Sequence, residues 1–208
     1  MIKLSNIKVM NFENAIRGMR NPLNSWSKSD SYTDENGVFV MGENDFVLAM
    51  KLANAGSDHR KFLRQILVSV DILAPLYWWK EFDTYKVGTV ANSCSTMHKI
   101  HAKKFTLDDF SHEHLRSTAL AVLEIVITEL NHQRSAFLST KDKEFWHNMI
   151  QLLPTSYNQL RTVTLNYEVL RNIYHSRNAH KLDEWRELCK QIETLPYSEL
   201  IIGKEIDK

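Results

Sequence analysis

Residues 66–82 read ILVSVDILAPLYWWKEF and hold two different patterns in succession. Apolar side chains first fall at every second position, at Ile66, Val68, Val70 and Ile72. This alternation predicts a β-strand over residues 62–73. Pro75 then stands inside an apolar run that continues into an aromatic cluster, which predicts a helix with the proline in its first turn. We expect that helix to bury Leu76, Tyr77, Trp79 and Phe82.

The polar segment that follows the aromatic helix, residues 86–96, has neither helical nor strand periodicity. It contains a glycine and several hydroxyl side chains. Such composition predicts a loop. Polar loops that a buried helix holds in place are common sites of binding chemistry. From residue types alone, the sequence therefore predicts a helix-rich globular domain with a possible pocket.

The composition limits the class of protein. A length of 208 residues is enough for one domain with a substantial core, and we expect a single domain over residues 1–208. The net charge of +1 gives no electrostatic case for nucleic acid or an anionic membrane as the main partner. The N-terminus lacks the apolar run of a signal peptide, so we expect a cytoplasmic protein. Cys94 and Cys189, the two cysteines, argue against a disulfide scaffold or a zinc ribbon.

The remaining elements follow from periodicity and capping signals. An edge strand is predicted over residues 2–10, a strand or turn over 38–41, and a strand over 157–165. Helices are predicted over 11–19 with Asn11 as cap, 44–54, 115–130, a stretch before Pro154 capped by Ser139 or Thr140, 166–177 and 180–192. The polar stretch 21–36 is predicted as a long loop, and residues 195–208 form a tail of uncertain structure.

Two segments of the sequence together resemble the flavin-dependent thymidylate synthases. Residues 84–89, Thr-Tyr-Lys-Val-Gly-Thr, stand where that family has its Arg-His-Arg-x-x-Ser signature. Residues 153–185 match in spacing the family's Leu-Pro, Tyr-Thr, Asn-x-Arg and His-Ala-Gln-Trp-Glu runs. The resemblance covers roughly residues 54–185. It implies an α+β fold, which is a helix-rich single domain with a small antiparallel sheet.

The resemblance also implies ligands, because members of the family use FAD, a nicotinamide reductant and methylene-tetrahydrofolate to methylate dUMP. Carried over residue by residue, it implies cofactor contacts at Lys86, Thr89, Asn92, Asn166 and Asn172. It implies substrate contacts at Glu81, Cys94 and Arg177. No residue is assigned to catalysis, and no metal is expected. The family assembles as tetramers with shared sites, so we expect a homo-oligomer.

The departures from the family pattern concern mainly positive charge. Two arginines that the family uses for the substrate fall at Thr96 and Ile150, and a further arginine falls at Glu168. Each arginine gives a phosphate charge-assisted hydrogen bonds of ~1.5–3 kcal/mol. Their loss predicts much weaker dUMP binding unless nearby cations replace them, and Glu168 adds repulsion. Candidate replacements are His98, Lys99, Lys103 and Lys104.

Two functional hypotheses follow from the resemblance. The first is a flavin- and nucleotide-binding protein of thymidylate synthase type, with methyl transfer altered or lost. The alternative is a non-catalytic assembly or interaction protein on the same fold. A third hypothesis sets the resemblance aside and treats the chain as an unrelated helical binding module. It predicts that no strand between Phe62 and Leu73 runs into the aromatic helix.

Several single residues keep a structural interpretation beside the functional one. Arg177 either holds an anionic ring or ends a helix against its dipole. Cys94 is either a nucleophile or a small packed residue. Trp78 and Trp79 either stack on a ligand or belong to the core. Two histidine pairs are either metal ligands or solvated and capping residues, and these are His98 with His101 and His112 with His114.

Overall fold

The structure, a computed structural model, describes residues 2–203. The chain forms, in order, β1 (Lys3–Met10), α1 (Phe12–Met19), β2 (Tyr32–Thr33), β3 (Phe39–Val40), α2 (Glu43–Asn54), β4 (Leu67–Pro75), α3 (Leu76–Phe82), β5 (Val90–Ser93), α4 (Ser117–Thr140), α5 (Lys143–Leu152), β6 (Asn158–Asn166), α6 (Tyr167–Arg177), α7 (Asp183–Glu193) and α8 (Glu199–Ile202). One sheet has the strand order β1-β4-β6-β5, and β2 pairs antiparallel with β3. The predicted α+β, helix-rich architecture is confirmed.

The described residues divide into two compact units. The first unit holds residues 2–4, 72–84 and 92–162, and the second holds residues 5–71, 85–91 and 163–203. The single domain expected over residues 1–208 stays a prediction. No helix among the described residues is both long enough and apolar enough to cross a membrane.

The strand and helix at the centre of the sequence form as one continuous feature. In β4 the inward positions Val68, Val70, Ile72 and Ala74 are buried. The strand passes directly into α3, which rules out the unrelated helical module. Pro75 is the N-cap of α3 and has an extended conformation, so it precedes the first turn instead of lying in it. The helix buries Trp78, Trp79 and Phe82, whereas Leu76 and Tyr77 are only half-buried.

The first unit has two groups of buried side chains. In α3 the Trp78 and Phe82 rings stack at 5.0 Å, and both tryptophans are fully buried, which supports the core interpretation of this pair. The second group joins α4 to α5. It consists of Ile100, Phe105, Phe110, Leu123, Ile127, Leu130 and Met149. The long helix predicted from residue 115 is confirmed as α4, which has 24 residues.

The second unit packs its helices around buried polar as well as apolar groups. Phe12 of α1 lies edge-on to Tyr167 of α6 at 5.5 Å. Buried Arg171 of α6 donates from Nη1 to the Leu200 carbonyl at 3.0 Å and from Nη2 to Asn54 Oδ1 at 3.1 Å. These bonds hold α8, which forms inside the predicted tail, against the rest of the unit. Residues 204–208 of that tail lie outside the described residues.

Several local predictions are wrong in a way that hydrogen bonding explains. Asn11 precedes α1 with φ 73°, and its side chain donates to the Gln65 carbonyl instead of capping the helix. Asp142 caps α5 by accepting from the Glu144 amide, because α4 continues through Ser139 and Thr140. The strand β5 forms inside the predicted loop 86–96, and β2 forms inside the predicted loop 21–36.

Candidate functional site

In the second unit, the start of α6 is in close contact with the segment 85–91. Asn166 is buried and caps α6, because its Oδ1 accepts from the Val169 amide at 3.0 Å. Gly88 has φ +75°, and a Cβ at this position would lie 2.6 Å from Asn166 Nδ2. A side chain at residue 88 is therefore strained by the backbone conformation and would force the Asn166 side chain to shift. The signature-like segment is held against the N-terminus of this helix.

The end of α6 makes the second contact with the same segment. Arg177 donates from Nε to the Tyr85 hydroxyl at 3.0 Å. Its guanidinium lies 4.8 Å from the Trp185 ring centre and 5.8 Å from that of Tyr85. Arg177 is also in the last turn of α6, where a cation is favourable to the helix dipole. The aromatic pair fixes the plane of this arginine.

Lys86 lies between these two contacts, and Thr89 directly follows Gly88. Lys86 is exposed and forms no ion pair within residues 2–203. The Thr89 hydroxyl is buried and has no hydrogen-bond partner among the described residues. A buried hydroxyl without a partner costs about 1–3 kcal/mol, and a ligand group would remove that cost. Asn172 is exposed on the same helix, α6.

The other three predicted site residues belong to the first unit. Cys94 accepts at its carbonyl from Gln159 Nε2 at 2.7 Å and donates from its amide to the Leu160 carbonyl at 2.9 Å. Its side chain is exposed, whereas Cys189 is buried. Asn92 is exposed in β5, and Glu81 is half-buried in α3. The eight predicted residues thus fall into two groups, one in each unit.

Sequence reasoning missed one cation of the first unit, Arg161. Its Nη1 donates to Asp83 Oδ1 at 2.8 Å, and its Nε donates to Gln159 Oε1 at 3.0 Å. The guanidinium lies 4.2 Å from the Trp79 ring. The only available signal was a polar side chain within the predicted strand 157–165. Arg161 links the aromatic helix to the group of side chains around Cys94.

Two charged residues that were expected to affect phosphate binding, Lys103 and Glu168, already have partners of opposite charge. Lys103 is bonded to Asp109, and this hydrogen bond raises the pKa of the lysine, so Lys103 is already engaged. Glu168 is buried and accepts from Arg60 Nε at 2.9 and 3.0 Å. The repulsion expected from Glu168 is therefore largely neutralised within its own unit.

The remaining reactive side chains are packed or bonded locally. The His101 ring lies 4.9 Å from Phe137, and His112 Nδ1 is 2.8 Å from the Phe110 carbonyl oxygen. Burial raises the pKa of the Cys189 thiol to about 11, so this cysteine is not a thiolate near neutral pH. Within residues 2–203, three or more potential metal ligands do not gather at any point.

A large cavity lies within the second unit, among α1, α2 and residues 58–65. Its volume is about 1010 Å³, the size of a pocket for a large organic ligand. Apolar side chains from α2 and the 58–65 segment line it together with polar ones. The lining includes Gly18, Met19, Arg20, Lys28, Leu48, Leu52, Asp58, His59, Lys61, Phe62 and Gln65.

The rim of this cavity is positively charged overall. Lys28 and Lys61 are exposed and make no ion pair with any described residue, whereas Arg20 is paired with the buried Asp45. One carboxylate, Asp58, opposes them. The cavity combines an apolar interior with two available cations, a combination that suits a ligand with a flat apolar ring and phosphate groups.

Similar solved structures cover nearly the whole chain. A crystal structure of thymidylate synthase X from Helicobacter pylori with FAD and dUMP is 17% identical, with a TM-score of 0.70 over 98% of both chains. A second structure of that enzyme, complexed with FAD and dUMP, is 16% identical with a TM-score of 0.68, and covers 96% of this chain and 98% of its own. The UMP/dUMP methylase PolB from Streptomyces cacaoi, bound with 5-Br dUMP, is 11% identical with a TM-score of 0.64, over 93% and 89%.

Sequence comparison adds nothing to these structural matches, because no family model and no curated protein matches the chain. The identities lie far below the level at which activity can be transferred with the fold. The chain therefore has the fold of flavin-dependent thymidylate synthases, with a sequence that has diverged widely.

Proposed function

We propose that this chain binds FAD and a uridine nucleotide on a thymidylate synthase-like fold. The observation that carries the proposal is the structural match over 98% of both chains with an enzyme whose crystal structure contains FAD and dUMP. The resemblance of residues 54–185 to the same family, found from sequence motifs, also supports it.

The side chains around α6 support a nucleotide site. Thr89 has a buried hydroxyl without a partner among the described residues, and Lys86 is an available cation in the same segment. Arg177, fixed in plane by Tyr85 and Trp185, is suited to an anionic or carbonyl-bearing ring such as uracil. Asn166 lies against Gly88 of the same segment, residues 85–91. Asn172, also on α6, is a further proposed cofactor contact. In the first unit, Glu81 and Cys94 are proposed substrate contacts and Asn92 a proposed cofactor contact, from the resemblance alone.

The cavity between α1 and α2 supports a flavin. The family's upstream Glu-His pair falls at Arg64 and Gln65, and Gln65 lines this cavity. Phe62 and Leu48 provide apolar surface for a ring, while Lys28 and Lys61 provide positive charge for a diphosphate. Bound FAD supplies hydride chemistry, and the residues of this chain bind it and orient it.

Methyl transfer on dUMP is proposed to be weakened or lost. Thr96 and Ile150 stand where the family has phosphate-binding arginines. Loss of such contacts weakens binding by about tenfold or more each. This replacement favours the second candidate function, a non-catalytic assembly or interaction protein on the same fold. We also propose a cytoplasmic homo-oligomer, with a tetramer as the expected state.

Two experiments test these proposals. The purified protein is examined for the visible absorbance of oxidised flavin, and its thermal unfolding is followed with and without FAD and dUMP. Stabilisation by both ligands is the expected result, since a ligand that binds only the folded state raises the unfolding temperature. Complementation of a thymidine-requiring strain then separates the two functions, because growth rules out the non-catalytic protein.

A further inference from the structure

A second, smaller cavity lies within the second unit, beside α1. One wall is a single face of α1 together with its C-cap, and consists of Glu13, Ile16, Arg17 and Arg20. These positions lie three and four residues apart, so they are neighbours on the helix surface. The opposite wall is the segment 26–33 with Phe39 of β3. The volume is about 350 Å³, at the small end of the range for ligand pockets.

A buried ion pair holds the walls of this small cavity in place. Arg20 donates from Nε to Asp45 Oδ1 at 2.5 Å, and the two side chains are 4% and 0% exposed. The other Asp45 oxygen accepts from the hydroxyls of Ser29 and Ser31, both at 2.6 Å. These bonds tie the 26–33 wall to α2, so the cavity is already formed in the ligand-free protein.

Three aromatic side chains line the cavity without filling it. Trp26 and Tyr32 are 48% and 59% exposed, and neither ring contacts another aromatic ring among residues 2–203. The Trp26 indole is oriented by a hydrogen bond from Nε1 to Asn21 Oδ1 at 2.9 Å. Phe39 is held by stacking on Phe12 at 5.8 Å. The lining therefore offers aromatic surface against which a ligand ring can pack.

Two opposite charges of the α1 wall have no partner in the part of the chain that the structure describes. Glu13 and Arg17 are exposed, and neither makes an ion pair or a side-chain hydrogen bond there. They are four residues apart, in the order at which a glutamate and a cation can pair on a helix. Because they do not neutralise each other, both are available to one ligand that carries a positive and a negative group.

We propose that this cavity binds a free α-amino acid with an aromatic side chain. The ligand carboxylate accepts from the Arg17 guanidinium, and its ammonium group donates to the Glu13 carboxylate. Its ring lies against Trp26, Tyr32 and Phe39. The assignment does not depend on flavin or nucleotide binding, since none of these five residues lines the larger cavity between α1 and α2.

Calorimetric titration with L-phenylalanine tests the proposal. It is made on the ligand-free protein, because Arg20 lines both cavities. We expect saturable binding of L-phenylalanine. Phenethylamine lacks the carboxylate and 3-phenylpropionate lacks the ammonium group, so each should bind about tenfold or more weakly than the amino acid. L-Alanine, which has no ring, should also bind about tenfold or more weakly.

Charge variants test which side chain holds which end of the ligand. Arg17→Gln should weaken L-phenylalanine binding by about tenfold or more, yet should not weaken that of phenethylamine. Glu13→Gln should weaken L-phenylalanine binding but not that of 3-phenylpropionate. A merely structural effect would weaken all three ligands. Glu43→Gln and Lys51→Gln are the matched controls, because they change the first and last turns of α2 as the other two change those of α1.

The outcomes are separate from those of the flavin proposal. Absence of L-phenylalanine binding, or equal affinities for L-phenylalanine and both of its analogues, overturns this inference whether or not FAD binds. Weakening of all three ligands by Arg17→Gln and Glu13→Gln overturns the two charge contacts. Equal loss of L-phenylalanine affinity in the α2 controls overturns the site beside α1.

Discussion

Arg177 donates a hydrogen bond to the hydroxyl of Tyr85 at 3.0 Å, and through it the end of α6 holds the segment that stands in place of the family's signature. Arg177 belongs to residues 153–185, the second of the two segments that resemble the family. Tyr85 stands where the family's signature has a histidine. A new aromatic partner thus positions a residue that the family pattern retains.

Changing Arg177 tests whether this arrangement serves the nucleotide. We expect Arg177→Lys to weaken dUMP binding by about 10–100-fold, because lysine lacks the planar group that stacks on Trp185. Tyr85→Phe keeps the ring and removes only the hydrogen bond, so its effect should be smaller. Calorimetric titration measures both. Arg186→Lys, on α7 beside the exposed Asp183, is the control and should leave dUMP affinity unchanged.

The close approach of Gly88 to Asn166 predicts an unusually large effect of a single methyl group. Gly88→Ala should destabilise the protein by about 1–3 kcal/mol, from strain at positive φ together with the contact with Asn166. Gly37 has φ +77° and open space, so Gly37→Ala measures the strain alone. Urea unfolding gives both values.

The double variant G88A/N166A isolates the contact. Because Asn166→Ala removes the side chain that the new methyl group meets, Gly88→Ala should be less destabilising in that background than in the wild type. Equal effects of Gly88→Ala in the two backgrounds would show that the approach to Asn166 contributes nothing.

Thr89→Val is expected to move stability and binding in opposite directions. Removing a buried hydroxyl without a partner should stabilise the ligand-free protein by about 1 kcal/mol. The same change removes a proposed ligand contact, so the rise in unfolding temperature on adding FAD and dUMP should shrink. Thermal unfolding with and without ligands measures both. A variant that is less stable alone, yet stabilised normally by ligands, would show that the hydroxyl has a structural partner.

Asp45 predicts an acid-sensitive contribution to stability. Burial alone would raise the pKa of this carboxyl, but hydrogen bonds from Ser29, Ser31 and Arg20 outweigh it and hold the pKa below the ordinary value of 3.8. The folded-state pKa lies below the unfolded one. The contribution is therefore complete above about pH 4 and is lost as the pH falls through the lowered value.

Asp45→Asn should destabilise the protein at neutral pH by about 3–5 kcal/mol, because it leaves buried Arg20 without its charge partner. The acid-dependent part of the unfolding curve should flatten. Chemical unfolding measured from neutral to acidic pH tests both. Asp108→Asn, an exposed carboxylate, should change neither; an unchanged acid dependence in Asp45→Asn would contradict the assignment.

Comparing a flavin that carries a diphosphate with one that has no phosphate tests the cavity between α1 and α2. If Lys28 and Lys61 contact the FAD diphosphate, replacing both with glutamine should weaken FAD binding by about tenfold or more and leave riboflavin, which has no phosphate, unaffected. Flavin fluorescence measures both ligands. Lys80→Gln/Lys190→Gln, at exposed sites outside the cavity, is the matched control. Equal losses for FAD and riboflavin would place the lysines away from the phosphates.

The sequence predicted elements where a pattern is dictated by burial. The alternation at Ile66 to Ile72 gave β4, and Asn166 was placed at the start of α6, which it caps. β5 was missed, because all four of its residues are exposed at the end of the sheet order and carry no pattern. Backbone pairing with a neighbouring strand, which no local signal records, determines it.

The site was less predictable, since its contacts join residues far apart in the chain. Arg161 over Trp79 and Asp45 beside Arg20 depend on tertiary packing, and neither pair has a spacing that points to it. The family resemblance supplied the positions of Thr89 and Arg177. It could not supply the neutralisation of Glu168, because Arg60 lies outside the motif.

Titration of the ligand-free protein with FAD tests the central claim most directly. The proposal predicts saturable binding that quenches flavin fluorescence, and a rise in the unfolding temperature that grows with FAD concentration. The test uses FAD at concentrations that saturate related enzymes. If the flavin fluorescence is not quenched and the unfolding temperature of the protein does not rise, then this chain keeps the fold without the cofactor, and the flavin assignment is wrong.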